Sequence, residues 1–289
     1  MSFVTLIAFL NPIFYGISNV VDSHLSNNLF KRNSTVVFYC SITNILSIPV
    51  LFLFGTPQPL TLAILPFILA VGILEFLYII PYFLALRSID TSIIAALFTL
   101  GKITIPFLAY FIVDEKLQII QYIGFAIIIF FTIILSINNF KTVKINKAFY
   151  LMLLSSFFLA VQVVMYKAVL EEFTWVSTAF YTCIFSFSCA LSMFFIKPIR
   201  TDIISSFGTY RKNIKLLISN EAAAQTAYLG TIFSLSYFPV LAVEAIGATQ
   251  PLFVLLYGVI LYKLFGDKFK EDINRRQIIK KIIDRKSVV

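Results

Sequence analysis

Two ionisable residues stand where an apolar chain should have none. Glu75 lies in Leu74-Glu75-Phe76-Leu77-Tyr78-Ile79-Ile80-Pro81-Tyr82, and Lys102 lies in Thr99-Leu100-Gly101-Lys102-Ile103-Thr104-Ile105-Pro106. Each is deep inside an apolar run of membrane-spanning length. A charged side chain at the bilayer centre costs roughly 2.5–3.5 kcal/mol even on a lenient scale. Such residues therefore face a cavity or a partner, and they mark sites for solutes, ions or protons. The turn between the two runs falls near Asp90, 15 residues after Glu75 and 12 before Lys102. At a rise of about 1.5 Å per residue the two reach nearly the same depth. The spacing predicts a Glu75–Lys102 charged pair. That pair is either a proton-switched site for a charged solute or a structural ion pair that locks the bundle.

Neutral polar groups accompany the charges. Tyr78 and Tyr82 follow Glu75 at i+3 and i+7, and Gln225 and Tyr228 follow Glu221 at i+4 and i+7, so each acid shares a helix face with its followers. Asn11, Tyr15 and Asn19 form an i, i+4, i+8 stripe on the first run. Gln162 and Lys167 dot the sixth, and Gln250 is polar inside the ninth. The candidate site residues are Glu75, Lys102, Tyr78, Tyr82, Glu221, Gln225, Tyr228, Asn19, Gln162 and Gln250. Glu221 has a plainer reading as a helix-start acid favoured by the dipole, and tyrosines often only pack. Glu244, Glu171, Glu172 and Trp175 are expected near the membrane interfaces, where anchors and solvated charges belong. Pro66, Pro81, Pro106 and Pro251 should bend or open helices.

Other chemistries lack their residues. Cys40, Cys183 and Cys189 all lie in apolar runs and form no C-x-x-C pair, so neither a disulfide framework nor a metal site is read from spacing. The single histidine, His24, is expected in a loop. There is no H-E-x-x-H, no glycine-rich phosphate cradle and no ATP-binding motif. No cofactor is implied, and a membrane enzyme is the least favoured class.

The elements that must position these residues are transmembrane helices. The chain of 289 residues is 60% hydrophobic, and only 13% of it is charged, about half the usual soluble fraction. Mean hydropathy is +0.93. Nine apolar runs reach the roughly 20 residues needed to cross the hydrocarbon, at about 3–21, 35–54, 61–86, 92–113, 118–138, 148–169, 176–196, 215–238 and 243–264. The expected fold is an all-α polytopic membrane protein. After Asp267 the chain becomes basic and amphipathic, a pattern that cannot span but can lie on an anionic surface. The net charge of +9 resides between spans and in this tail, so it does not point to nucleic acid. Of the 23 Lys and Arg residues, all but Lys102, Lys116 and Lys167 fall on one side. The positive-inside rule then puts the N-terminus outside and the tail in the cytoplasm.

The order of landmarks occurs twice. Gly16 precedes the polar span end at Ser23 as Ala160 precedes Lys167, and Glu75 precedes Tyr82 as Glu221 precedes Tyr228. Ala95-Ala96 precedes Asp114-Glu115-Lys116-Leu117 as Gly247-Ala248 precedes Gly266-Asp267-Lys268-Phe269. The expected organisation is a five-span unit over 1–140, a four-span unit over 146–266, and a basic cytoplasmic tail over 267–289. Doubled hydrophobic units with polar residues in their spans are a secondary-transporter pattern.

These landmarks resemble the drug/metabolite transporter superfamily, in particular its EamA-type carriers. Tyr15-Gly16 stands where the first span of that family usually carries Trp-Gly. Ala85-Leu86-Arg87 and Ser234-Leu235-Ser236-Tyr237-Phe238-Pro239 match its A-L-x-y stretches, and Thr249-Gln250-Pro251-Leu252-Phe253 matches its ninth-span Pro-hydrophobic run. The Asp114–Leu117 and Gly266–Phe269 segments match Gly-Glu-x-Leu. The resemblance covers about 1–270. It implies two inverted five-span repeats and a permease of the bacterial plasma (inner) membrane that moves a small metabolite by alternating access. Glu75 beside Lys102 would suit an amino acid, an amine or another zwitterionic or cationic solute, with a proton or counter-substrate as coupling partner. Two departures stand out. No tenth span is present, which leaves open a non-transporting remnant or a membrane partner subunit, and the charge bias orients the chain opposite to the family's habit.

Overall fold

A computed structural model describes residues 3–89, 91–116, 118–136 and 147–265. Among these residues every regular element is helical. Seven stretches are long and apolar enough to cross a membrane: α1 (Phe3–Leu29), α2 (Asn33–Leu51), α3 (Leu65–Leu86), α4 (Thr91–Val113), α6 (Lys147–Leu170), α7 (Trp175–Phe195) and α11 (Val240–Leu264). Helix α5 (Ile119–Ser136) and helix α10 (Ile214–Leu235) stand at the fifth and eighth predicted runs. Two short helices, α8 (Lys197–Ser205) and α9 (Phe207–Lys212), fill the basic segment between α7 and α10. The tail over 267–289, Leu117 and the Gly266–Phe269 motif lie outside the described residues.

The outer surface is far more apolar than that of a soluble bundle, and the interior mixes polar with apolar side chains. Phe107, Phe111, Ile119 and Phe130 are exposed on α4 and α5, whereas Ser155, Thr178, Thr182 and Ser186 are buried between helices. Lipid is as apolar as leucine, so helices gain little by hiding apolar groups from it and associate instead through close packing and interhelical hydrogen bonds. Two crossings show the packing. A Cβ on Gly16 would lie 2.6 Å from the Phe253 Cβ, so α1 and α11 meet there nearly backbone to backbone. Gly101 makes the corresponding close approach to Ser156, where α4 meets α6. Helix α1 packs on α10 and α11, and α6 packs on α3 and α4, so each half of the chain lends its first helix to the other.

The first helix runs on past its predicted end at residue 21. It reaches Leu29 through a wide turn over Leu25–Leu29, and His24 is in this helix rather than in a loop, with Asn28 Nδ2 2.9 Å from its Nδ1. Hydropathy drops at Asp22, but Leu25 and Ser26 are fully buried, and that packing sustains the helix. Arg87 then donates to the Phe30 and Lys31 carbonyls, both at 2.7 Å.

Three of the four prolines interrupt helices where expected. Proline removes the N–H that would bond the carbonyl four residues earlier. Pro81 leaves a break at Tyr78, Pro106 a tight turn over Lys102–Thr104, and Pro251 a gap between Gly247 and Gln250. Pro66 differs: it stands in the first turn of α3, where no such bond exists to be lost, so it starts a helix instead of bending one.

Candidate functional site

The interrupted helices surround a cavity of about 140 Å³, lined by residues from α1, α2, α3, α4, α6, α10 and α11. At about 10–15 Å³ per water position that space suits a small metabolite. All ten candidate residues line it: Asn19, Glu75, Tyr78, Tyr82, Lys102, Gln162, Glu221, Gln225, Tyr228 and Gln250. Asn11 and Tyr15 of the first-helix stripe join them.

The predicted pairing within this set is different. Lys102 Nζ lies 2.6 Å from Glu244 Oε2, and it is this contact, not one with Glu75, that forms the buried ion pair. Depth along an axis says nothing about direction around it, and the turn that Pro106 forces at Lys102 leaves the ammonium against α11. Glu244 is correspondingly buried rather than interfacial. Gly247, one turn after Glu244, supplies the room: a Cβ there would lie 2.6 Å from Lys102 Nζ.

Glu75 belongs to a second, cation-free network. Gln162 Nε2 donates to Glu75 Oε2 at 2.6 Å, and the Tyr166 hydroxyl lies 3.4 Å from the same oxygen. The Tyr166 hydroxyl accepts from Gln162 Nε2 at 3.0 Å and lies 3.1 Å from the Tyr228 hydroxyl, so its one proton serves either Glu75 or Tyr228. Related contacts recur on the opposite side. Tyr82 donates to Asp22 Oδ2 at 3.0 Å, with Asn19 Oδ1 3.2 Å from the same hydroxyl, and Asn220 Nδ2 donates to Asp22 Oδ1 at 2.7 Å. Glu221 is buried eight residues into α10 beside this group, so the reading of it as a helix-start acid does not hold.

Sequence reasoning missed Asp22, Cys40, Tyr166, Thr231 and Glu244 as cavity residues. Asp22 and Glu244 have a signal, since each is an acid within a helix long enough to span. The other three have none that distinguishes them from ordinary packing residues. Lys167 lies elsewhere: its ammonium donates to the Leu235 carbonyl at 2.8 Å and the Phe238 carbonyl at 3.2 Å, closing the end of α10. Glu115 of the Asp-Glu-Lys motif accepts from the Val240 and Leu241 N–H groups at 2.8 and 3.3 Å, capping α11.

The cavity wall is polar beyond what the protein itself satisfies. Asn11 Oδ1, Asn19 Nδ2, Asn44 Oδ1 and Gln225 Oε1 are buried without a protein partner. Such groups are rare in native interiors, and a ligand or ordered water completes them. Among the described residues, the wall carries four carboxylates (Asp22, Glu75, Glu221 and Glu244) and a single cation, Lys102, which Glu244 already engages.

A helical bundle in which seven stretches are long and apolar enough to cross a membrane, built around a polar cavity, defines a polytopic membrane protein. The model of the EamA-like transporter family matches residues 2–137, so the N-terminal part of the chain is similar to the transporters of that family. No curated protein matches it. A solved crystal structure shares the fold over 99% of both chains, with a TM-score of 0.62 and 12% sequence identity.

Proposed function

We propose that the chain is a secondary carrier that moves a small cationic, amine-bearing metabolite across the bacterial plasma (inner) membrane by alternating access. One observation carries this reading: the cavity holds three carboxylates besides the one that Lys102 engages. An isolated buried charge is costly, so a positively charged solute, or protons in its absence, must complement them. The pairing of Lys102 with Glu244 removes the free cation that a substrate carboxylate would need. That moves the reading from a zwitterion towards a cation. Glu75 and the Gln162–Tyr166 group are the ammonium seat in this scheme, and a proton or counter-substrate is the coupling partner.

The carrier is organised as nine spans in two inverted repeats, 1–140 and 146–266, with the 267–289 tail and the N-terminus on the cytoplasmic and outer sides respectively. Paired contacts support the repeats. Tyr82 meets Asp22 as Tyr228 meets Tyr166, and Gly16 meets Phe253 as Gly101 meets Ser156. The proline-broken α3, α4 and α11 at the cavity provide the gating elements, as in carriers that rock one repeat against the other.

The test is thermal stabilisation of the detergent-purified protein across a library of amines, amino acids and neutral metabolites. A ligand at 100 times its dissociation constant adds about 2.7 kcal/mol. Amines are expected to stabilise the protein, Glu75→Gln to abolish the effect, and Lys102→Met to retain part of it. Stabilisation by anionic or neutral solutes alone, or amine binding unchanged in Glu75→Gln, would overturn the reading.

A further inference from the structure

The two carboxylates that the amine reading counts besides its ammonium seat at Glu75 stand together with a thiol at one corner of the cavity. Asp22 on α1, Cys40 on α2 and Glu221 on α10 each present one ligating atom, and the three atoms lie within 4.8 Å of one another. All three residues are buried. They come from three helices far apart in sequence, so no spacing motif announces them. We propose that Asp22, Cys40 and Glu221 form a binding site for a thiophilic divalent metal cation of the Zn²⁺ class at the edge of the cavity.

The composition of the corner supports a metal over an empty acid cluster. A thiol with two carboxylates is a mixed soft and hard donor set, which selects borderline cations over Mg²⁺ or Ca²⁺. No lysine or arginine is paired with either acid among the described residues. A further observation concerns the flanking amides. Asn220 Oδ1 is buried without a partner. Its amide cannot simply be turned over, because Nδ2 is committed to Asp22 Oδ1 at 2.7 Å. Asn44 Oδ1, one helical turn after Cys40 and in the cavity wall, is also buried and unpartnered. The corner thus has more acceptors than the protein's own donors satisfy, a surplus that a bound cation would meet.

The geometry is close to what coordination needs. With Zn–S of about 2.3 Å and Zn–O of about 2.0–2.2 Å, tetrahedral ligand atoms stand about 3.5 Å apart. Side-chain rotations that shorten the observed separations by about an ångström close the set. An amide oxygen or a water completes a fourth position. Tyr82 and Asn220 already hold the two oxygens of Asp22, the kind of outer support that fixes a ligating carboxylate. The Cys40 proton leaves to solvent as the thiolate binds.

The experiment titrates the purified full chain with Cd²⁺ alone, following thiolate-to-Cd²⁺ ultraviolet absorption and equilibrium dialysis. One Cd²⁺ per chain is expected. Cys40→Ser should remove the absorption, and Asp22→Asn and Glu221→Gln should each weaken binding roughly tenfold or more. Cys183→Ser, Cys189→Ser and Glu75→Gln should leave Cd²⁺ binding unchanged. That last variant keeps this inference separate from the amine reading, which fails or stands on Glu75. Absence of Cd²⁺ binding, or absorption that survives Cys40→Ser, would overturn the proposal. If Cys40→Ser does not fold, alkylation of Cys40 in the Cys183→Ser/Cys189→Ser background decides: Zn²⁺ protection upholds the site and full reactivity with Zn²⁺ present rejects it.

Discussion

Lys102, in the tight turn that Pro106 opens, meets Glu244 at 2.6 Å in the helical turn just before the gap at Pro251. Both side chains are largely shielded, so each neutralises a charge that the other would otherwise leave buried. Removing one partner of a buried pair costs about 3–5 kcal/mol, whereas replacing both with apolar groups can be nearly neutral. Lys102→Met and Glu244→Gln should each destabilise by about that amount. The double variant should recover most of the loss. Denaturant unfolding in detergent micelles, analysed as a double-mutant cycle, measures this, and additive losses would show that the pair is not coupled.

The Glu75 network makes a different prediction. Tyr166 bridges Glu75 and Tyr228 through one hydroxyl. Tyr166→Phe removes these two contacts and the bond from Gln162, and Tyr228→Phe removes one of them. Each should lower stability by about 1 kcal/mol, the net value of a hydrogen bond. The double variant should lose less than the sum, because the two share a bond. Tyr166→Phe should also weaken amine binding more than Tyr228→Phe, since only Tyr166 touches the carboxylate. Parallel ligand titrations of the two variants test that order.

Residue type and depth made the cavity legible, and azimuth limited the reading. Glu75, Lys102, Tyr82, Gln162 and Glu221 are visible in sequence because polar groups in long apolar runs have no other environment to face. Their partners are not visible. Lys102 was assigned to Glu75 on equal depth, yet the tight turn at 102–104 aims it at α11. Asp22 falls just past the expected end of the first run, and Glu244 at the start of the ninth, where an interfacial charge is expected. A falling window reports average polarity, however, and not where the helix ends. Both acids are buried in helices that continue for a turn or more beyond them. Cys40 carries no local signal at all, since the residues near it in space are 18 positions before it and 181 after it.

The close crossings predict where bulk is forbidden. Gly16 has Phe253 against it, and an added Cβ would stand 2.6 Å from that side chain's own Cβ. That atom is next to the backbone and cannot swing away, so the helices must part. Gly16→Val should cost about 1–3 kcal/mol, the usual range for overpacking. Gly124 on α5 has nothing within 4 Å of the same construction. Gly124→Ala should be neutral or stabilising by up to about 1 kcal/mol from helix propensity. Melting both variants in the same detergent gives the comparison, and equal effects would reject the packing account.

The Asp-Glu-Lys segment gives the last prediction. Asp114 adopts a left-handed conformation, with φ of 48°, at the end of α4. The chain reverses there and presents Glu115 to the start of α11, where its two oxygens accept the Val240 and Leu241 N–H groups. Those N–H groups are among the donors that a helix start cannot satisfy internally. A carboxylate there also meets the positive end of the helix dipole. Glu115→Ala removes both effects and should destabilise by about 1 kcal/mol, as loss of a helix cap does. Glu115→Gln keeps an acceptor and loses only the charge, so it should recover about half of that. Because α11 carries Glu244 in its first turns, the alanine variant should also loosen the Lys102 pair. Its stability loss should therefore be smaller in a Lys102→Met/Glu244→Gln background than in the wild-type chain, and an identical loss in both backgrounds would show that the cap acts on α11 alone.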